Sequence, residues 1–204
     1  MKTTSLTCAV TLALYSATSS FAFATATPPA ASATTLPLTA EVANDASLRG
    51  DVGPKQRNVA VLRVQILLDR ARFFPGEVDA SFGSNTRVAI SGFQKHNGLT
   101  ASGAMDEPTW AALNSDPEPV LVTYTVTEAD IAGPFVQIPA DMMDKARLPA
   151  LGYRDPVEAL GEKFHASPAL LAELNPGKDL GRAGEAIVVP NLASAAPLAK
   201  AARV

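Results

Sequence analysis

Hydrophobic positions between Val61 and Leu113 fall into three short amphipathic runs separated by glycine-bearing loops. In Val61–Ala71, the residues Val61, Val64, Leu68 and Ala71 recur at three- and four-residue steps, which lays them on one helical face. A second helix is predicted over Ser84–His96, with Thr86, Ala89, Ile90 and Phe93 inward and Asn97-Gly98 as a left-handed stop. A third, shorter helix fits Glu107–Asn114. Asp106 is placed to cap it, Pro108 sits in its first turn, and Trp110 and Leu113 point inward. None of these faces can be buried alone, so the three helices are expected to pack around Phe82, Phe93, Trp110 and Leu113.

The pattern changes after Asp116-Pro117-Glu118-Pro119, whose prolines predict a stiff extended linker. Val120–Val126 reads VLVTYTV, an alternating β-branched and aromatic run that predicts a strand. Glu128–Ala150 contains Pro134, Pro139 and Pro149 and one short helical candidate, Pro139–Lys145. From Pro156 the helical period returns. Val157, Leu160 and Phe164 share a face, His165-Ala166 turns the chain, and Ser167 caps a further helix through Leu170, Leu171 and Leu174. Asn175-Pro176-Gly177 stops that helix, and Ala186–Val189 is a short apolar strand ended by Pro190. The expected fold class is an all-α three-helix domain over 58–116, followed by a small α+β domain of βααβ order over 117–192 with an insertion at 128–155.

The first stretch resembles the peptidoglycan-binding domain that bacteria attach to cell-wall enzymes. The resemblance rests on Val64, Gln65, Leu68, Gly76, Asp79, Phe82, Gly83, Thr86, Ala89, Phe93, Gln94, Gly98, Leu99, Gly103, Thr109, Trp110 and Leu113, in order. Arg72 and Ala80 stand where that family usually has glycine. If both positions keep positive φ, each side chain costs about 1 kcal/mol.

The second stretch is similar to a LysM domain, a small carbohydrate-binding module of bacterial walls. Tyr124-Thr125-Val126, Leu160, Phe164, Leu171, Leu174-Asn175-Pro176-Gly177, Gly184 and Ile187-Val188-Val189-Pro190 carry that likeness. The short segment that normally follows the first strand is replaced here by roughly thirty residues, well above ordinary loop lengths. The whole order looks like the front part of one type of L,D-transpeptidase, enzymes that crosslink wall peptides through a cysteine in a following β-rich domain. That domain's His and Ser-x-Gly-Cys segment are not in this sequence.

Composition adds three expectations. The 204-residue chain carries 17 Lys and Arg against 20 Asp and Glu, a net charge of −3. This balance offers no electrostatic reason to expect nucleic acid as a partner. Residues 1–24 read as an export signal: Lys2, a short apolar run over Leu6–Tyr15, and Ala22-Phe23-Ala24 in the small-x-small form that signal peptidase cuts after. The run is too short to span a bilayer, which needs roughly 20 residues. Cys8 is the only cysteine and lies inside that signal, so the mature chain is expected to hold neither disulfide nor thiol nucleophile. Residues 25–57, rich in Ala, Thr, Ser and Pro, read as a disordered tether, the lesser alternative being a helix across Glu41–Leu48 that packs on the next domain, and 193–204 read as an Ala-rich tail or linker.

The chemistry points to binding. His96 and His165 are the only histidines and show no metal spacing. Asp130, Asp141 and Asp144, in proline-broken loops, read as solvated, and Glu158 and Glu162 as an exposed helix face. No cofactor, metal or catalytic residue is assigned. Asp79, Ser81, Asn85, Arg87 and Gln94 lie at or near the Phe82-Gly83 turn and can present polar groups to wall glycan strands or stem peptides. Arg87 can pair with a stem-peptide carboxylate. The plainer roles are that Asp79 caps its turn, Asn85 caps the helix and Gln94 bonds backbone. In the second domain the LysM resemblance implies that Asn175 and Gly177 border a glycan groove. The expected partner is therefore peptidoglycan, met by an exported two-module protein of periplasm or cell wall. The alternatives are a truncated L,D-transpeptidase and a docking role for the Pro-rich Ile131–Ala150 on another envelope protein.

Overall fold

A helix whose apolar residues exceed one stripe must be covered on more than one side, and that requirement shapes this molecule. The computed structural model describes residues 36–148 and 152–192. The elements are α1 (Ala40–Ala43), α2 (Val59–Arg70), α3 (Ser84–His96), α4 (Glu107–Leu113), β1 (Leu121–Thr125), α5 (Glu128–Ile131), α6 (Met142–Lys145), α7 (Pro156–Lys163), α8 (Pro168–Leu174) and β2 (Ala186–Pro190). The expected export signal (1–24), the first part of the tether (25–35) and the tail (193–204) lie outside the described residues.

Asn58 opens α2 by accepting the N–H groups of Ala60 and Val61 on its side-chain oxygen, at 2.9 and 3.0 Å. All twelve residues of α2 are buried. The expected single inner face, through Val61, Val64 and Leu68, is thus only part of what is covered. Val59, Ala60, Leu62, Ile66 and Leu67 are buried as well, and α1, α3 and α4 all pack on this helix. Its buried polar side chains are each held. Arg63 donates to the Ala43 carbonyl at 2.9 Å and to Asn114 Oδ1 at 2.8 Å. Asp69 Oδ2 meets His165 Nδ1 at 2.9 Å. Arg70 donates to the carbonyls of Pro119 and Glu118 at 2.9 and 3.1 Å and pairs with Asp116 at 2.6 Å. Burial without such partners would cost several kcal/mol per charge.

Two expectations are altered by this packing. Residues 36–57, read as part of a tether, fold against the helices instead. Thr39 caps α1, and Ala43 and Leu48 are buried. Asn44 bonds Leu121 from both ends of its amide, each at 2.9 Å. Averaged composition hid four apolar anchors there, since Leu38, Val42, Ala43 and Leu48 all reach the core. The proline segment 116–119, expected as a stiff extended linker, is in addition gripped by Arg70.

The sheet is a two-stranded antiparallel ladder, β1 on β2, with Leu121 opposite Pro190 and Thr125 opposite Ala186. Helix α8 packs on α7 and on β2. The first half meets the second through a parallel bridge: Val78 N–H donates to the His165 carbonyl at 2.7 Å, and Ser167 N–H to the Val78 carbonyl at 3.0 Å. One hydrophobic cluster runs from Ala43 through Trp110 to Val189, and the described residues fall within one compact unit, 35–204.

Candidate functional site

Two buried glutamines shape the surface beside α3. Gln65, on α2, donates to Asp79 Oδ1 at 3.0 Å and to the Ser81 carbonyl at 3.1 Å, and accepts from the N–H groups of Asp79 and Ala80 at 3.2 and 2.8 Å. Gln94, on α3, donates to the Ala104 carbonyl at 2.8 Å and Thr109 Oγ1 at 2.9 Å, and accepts from Gly103 N–H at 2.9 Å. Each amide thereby folds one loop back on the helices. Ala80 and Arg72 sit at φ 63° and 68°, the left-handed region that their glycine-like positions suggested. Gly76 is also left-handed, at φ 89°, and a Cβ there would lie 3.1 Å from Asn85 Nδ2.

Between these loops runs an open groove of about 530 Å³, lined by Pro54, Lys55, Phe82, Gly83, Ser84, Arg87, Val88, Ser91, Ala101 and Ser102. Gly83 is the N-cap of α3 and supplies no side chain to the first-turn N–H groups. The stem of Arg87 lies over Gly103, where a Cβ would come within 2.8 Å of Arg87 Cγ. Among the described residues neither Arg87 nor Lys55 meets a carboxylate, and none lines the groove. Val88 is 71% exposed at its edge.

The predicted site residues are only partly assembled here. Arg87 lines the groove, and Asn85 is exposed nearby without capping α3. Ser81 is half-buried, its N–H held by Asp79 Oδ1 at 2.8 Å, so Asp79 does cap its turn. Gln94 is fully buried and bonds inward. Asn175 is likewise buried, clasping Val188 N–H at 2.6 Å and the Val188 carbonyl at 2.8 Å, while Gly177 is exposed at φ 76°. Trp110 is 5% exposed, a core residue with the Arg49 guanidinium 5.2 Å from its ring centre. Lys55, Ser84, Val88 and Ser102 were not among the candidates. An apolar Val88 on the outer face of α3 was the one sequence signal that could have pointed to them.

The other charged groups have local roles. Asp141 caps α6 and Asp144 pairs with Arg147 at 3.0 Å. Glu158 pairs with Arg154 at 3.0 Å. Lys163 pairs with Asp130 at 2.7 Å. Among the described residues no group of His, Cys, Asp and Glu is arranged to hold a metal, and no helix is long and apolar enough to cross a membrane.

Residues 57–113 match the family described as "Putative peptidoglycan binding domain". That span contains α2, α3, α4 and most of the groove. It supports peptidoglycan as the partner of this region and is consistent with a cell-wall-associated location. No curated protein matches the chain.

Proposed function

We propose that the protein holds on to peptidoglycan without making or breaking bonds, and that the groove beside α3 receives a carboxylate-bearing stem peptide. The observation that carries this reading is charge. In a chain of net charge −3, this groove is lined by Arg87 and Lys55 and by no acid. A carboxylate seated there gains charge-assisted hydrogen bonds, while Phe82 and Val88 offer apolar walls to the peptide.

The wider reading is an exported protein with two wall-directed parts, the second LysM-like. What supports the second part is that the run β1, α5, α6, α7, α8, β2 closes as an antiparallel pair of its two strands, with α7 and α8 leading into the second. Two weak contacts on one chain would raise overall retention through effective concentration.

Sedimentation of the purified full chain with sacculi tests the groove. Arg87→Ala should lower retention about tenfold, the equivalent of one charged hydrogen bond, and should flatten its dependence on salt. Undiminished retention by a variant with native circular dichroism discards the groove reading.

A further inference from the structure

The bridge between the two halves borders a second cavity. Val78 N–H donates to the His165 carbonyl at 2.7 Å, and Ser167 N–H to the Val78 carbonyl at 3.0 Å, which ties the loop after α2 to the turn after α7. The cavity beside this tie has a volume of about 310 Å³, at the lower end of the range of about 300–1,000 Å³ typical of small-molecule sites. Asp69, Phe74 and Glu77 line it from the first half, and Glu162 and His165 from the second. Gly161 keeps α7 close on the turn that carries His165, since a Cβ there would lie 2.8 Å from the Ala166 carbonyl oxygen. Neither half alone builds this site, and it shares no lining residue with the groove beside α3.

Its charge is one-sided. Three carboxylates line the cavity and no Lys or Arg does. Among the described residues Glu77 and Glu162 pair with no cation. Glu162 stands in the last turn of α7, where the helix dipole opposes an acid. Its neighbour Lys163 is committed to Asp130 at 2.7 Å. Asp69 is the most buried of the three acids, with a side chain 5% exposed. His165 Nδ1 meets its Oδ2 at 2.9 Å, and among the described residues its Oδ1 takes no hydrogen bond. A carboxylate oxygen in such a place is costly until a donor reaches it. The remaining wall is Phe74, 65% exposed, its ring centre 6.2 Å from that of His165.

We propose that this cavity binds a small organic ammonium, a primary amine on a short alkyl chain. Acids from both halves select a cation. Among the described residues they are not arranged to hold a metal ion, and a bare ion has no use for an apolar ring. An alkylammonium fits both features: its N–H groups donate to the carboxylates, and its charge and methylenes lie against the face of Phe74. This ligand is opposite in charge to the one argued for the α3 groove, and the proposal does not rest on that reading.

Titration of the ¹⁵N-labelled full chain with pentylammonium chloride, against a reference matched in ionic strength with sodium chloride, tests it. Amide shifts should centre on Glu77, Glu162 and His165, and pentanol should give none. Phe74→Ala should weaken binding about two- to fivefold through the lost cation–π contact. The double variant Glu77→Gln, Glu162→Gln should weaken it about tenfold, with two charges removed. All three side chains are exposed, so both variants should keep the wild-type circular dichroism. A second arm uses lysine capped at both backbone ends. Its binding marks an amine carried on a peptide, its failure a free amine, and both outcomes keep the site. No shifts at about 20 mM pentylammonium, a concentration that reveals even weak binding, overturns the proposal. So do equal shifts from pentanol, sodium or calcium ions, shifts centred on Arg87, or undiminished binding by the folded double variant. If a variant does not fold, the wild-type shift map and the pentanol and calcium titrations decide.

Discussion

Gln65 and Asp79 grip each other from both ends: the glutamine Nε2 donates to Asp79 Oδ1 at 3.0 Å, and its Oε1 accepts the N–H of Asp79 at 3.2 Å. The same amide also holds Ala80 N–H and the Ser81 carbonyl. Gln65→Leu keeps the volume and removes every one of these partners. Since Gln65 and Ala80 are buried, the orphaned groups should cost about 2–4 kcal/mol, read as a lower urea midpoint. A change under about 0.5 kcal/mol would mean that water replaces the amide without loss.

Ala80 itself sits at φ 63° and is fully buried. A β-branched side chain there is opposed by both backbone and packing. Ala80→Val should destabilise by about 2 kcal/mol or more in the same urea assay.

Gly103 and Arg87 are linked by contact. The glycine has φ 69°, and an added Cβ would meet Arg87 Cγ at 2.8 Å and the Arg87 carbonyl at 3.0 Å. Gly103→Ala should cost about 1–2 kcal/mol and displace the guanidinium. Retention on sacculi should fall with it, in a protein still folded by circular dichroism.

The Asp130–Lys163 pair predicts a pH profile. Burial pushes the Asp130 carboxyl up, but hydrogen bonds from Lys163, Tyr124 and Thr127 outweigh it and hold the carboxyl well below the usual range. Hydrogen bonds to Asp130 and Tyr124 raise the Lys163 ammonium above its ordinary value. A depressed carboxyl stabilises the fold above its unfolded value, about 4, and that contribution fades as pH falls toward the folded value. A raised ammonium stabilises below its unfolded value, about 10.4, and that contribution fades as pH rises through the folded one. The stability difference between wild type and Lys163→Met should therefore be widest between about pH 5 and 10 and shrink at both ends. A difference that is flat across a urea series from acid to alkali would contradict the pairing.

Shared burial of α2 predicts one unfolding event. Trp110 fluorescence reports the helical half, and amide signals of β1 and β2 report the sheet. Their urea transitions should coincide. Two separated midpoints would show that the Val78–Ala166 bridge and the Arg70 contacts do not couple the halves.

Much of the local structure was legible in the chain. Ser84–His96 begins and ends as its period and Asn97-Gly98 suggested, and Asp106 caps α4 through Thr109 N–H at 2.9 Å. Both strands lie within a residue of the alternating run Val120–Val126 and the short apolar run Ala186–Val189 that marked them. The groove was less legible. Arg87 could be picked out as an exposed cation, but Lys55 reaches the same groove from residues read as tether. Gln94 and Asn175 have the side chains of ligand-binding residues and are used instead to fasten backbone.

Sequence alone determined where the longer helices and the two strands form, though not the short α1 and α5, because caps, prolines, glycines and hydrophobic period act within a few neighbouring residues. It also marked Arg72 and Ala80 as positions of unusual backbone, through their place in a motif. Only the tertiary structure decided that α2 is covered all round, that 36–57 packs, and that Asp130, Tyr124 and Lys163 converge. Those outcomes depend on burial and pairing between residues dozens of positions apart, and no local pattern encodes which distant partner will neutralise a given charge.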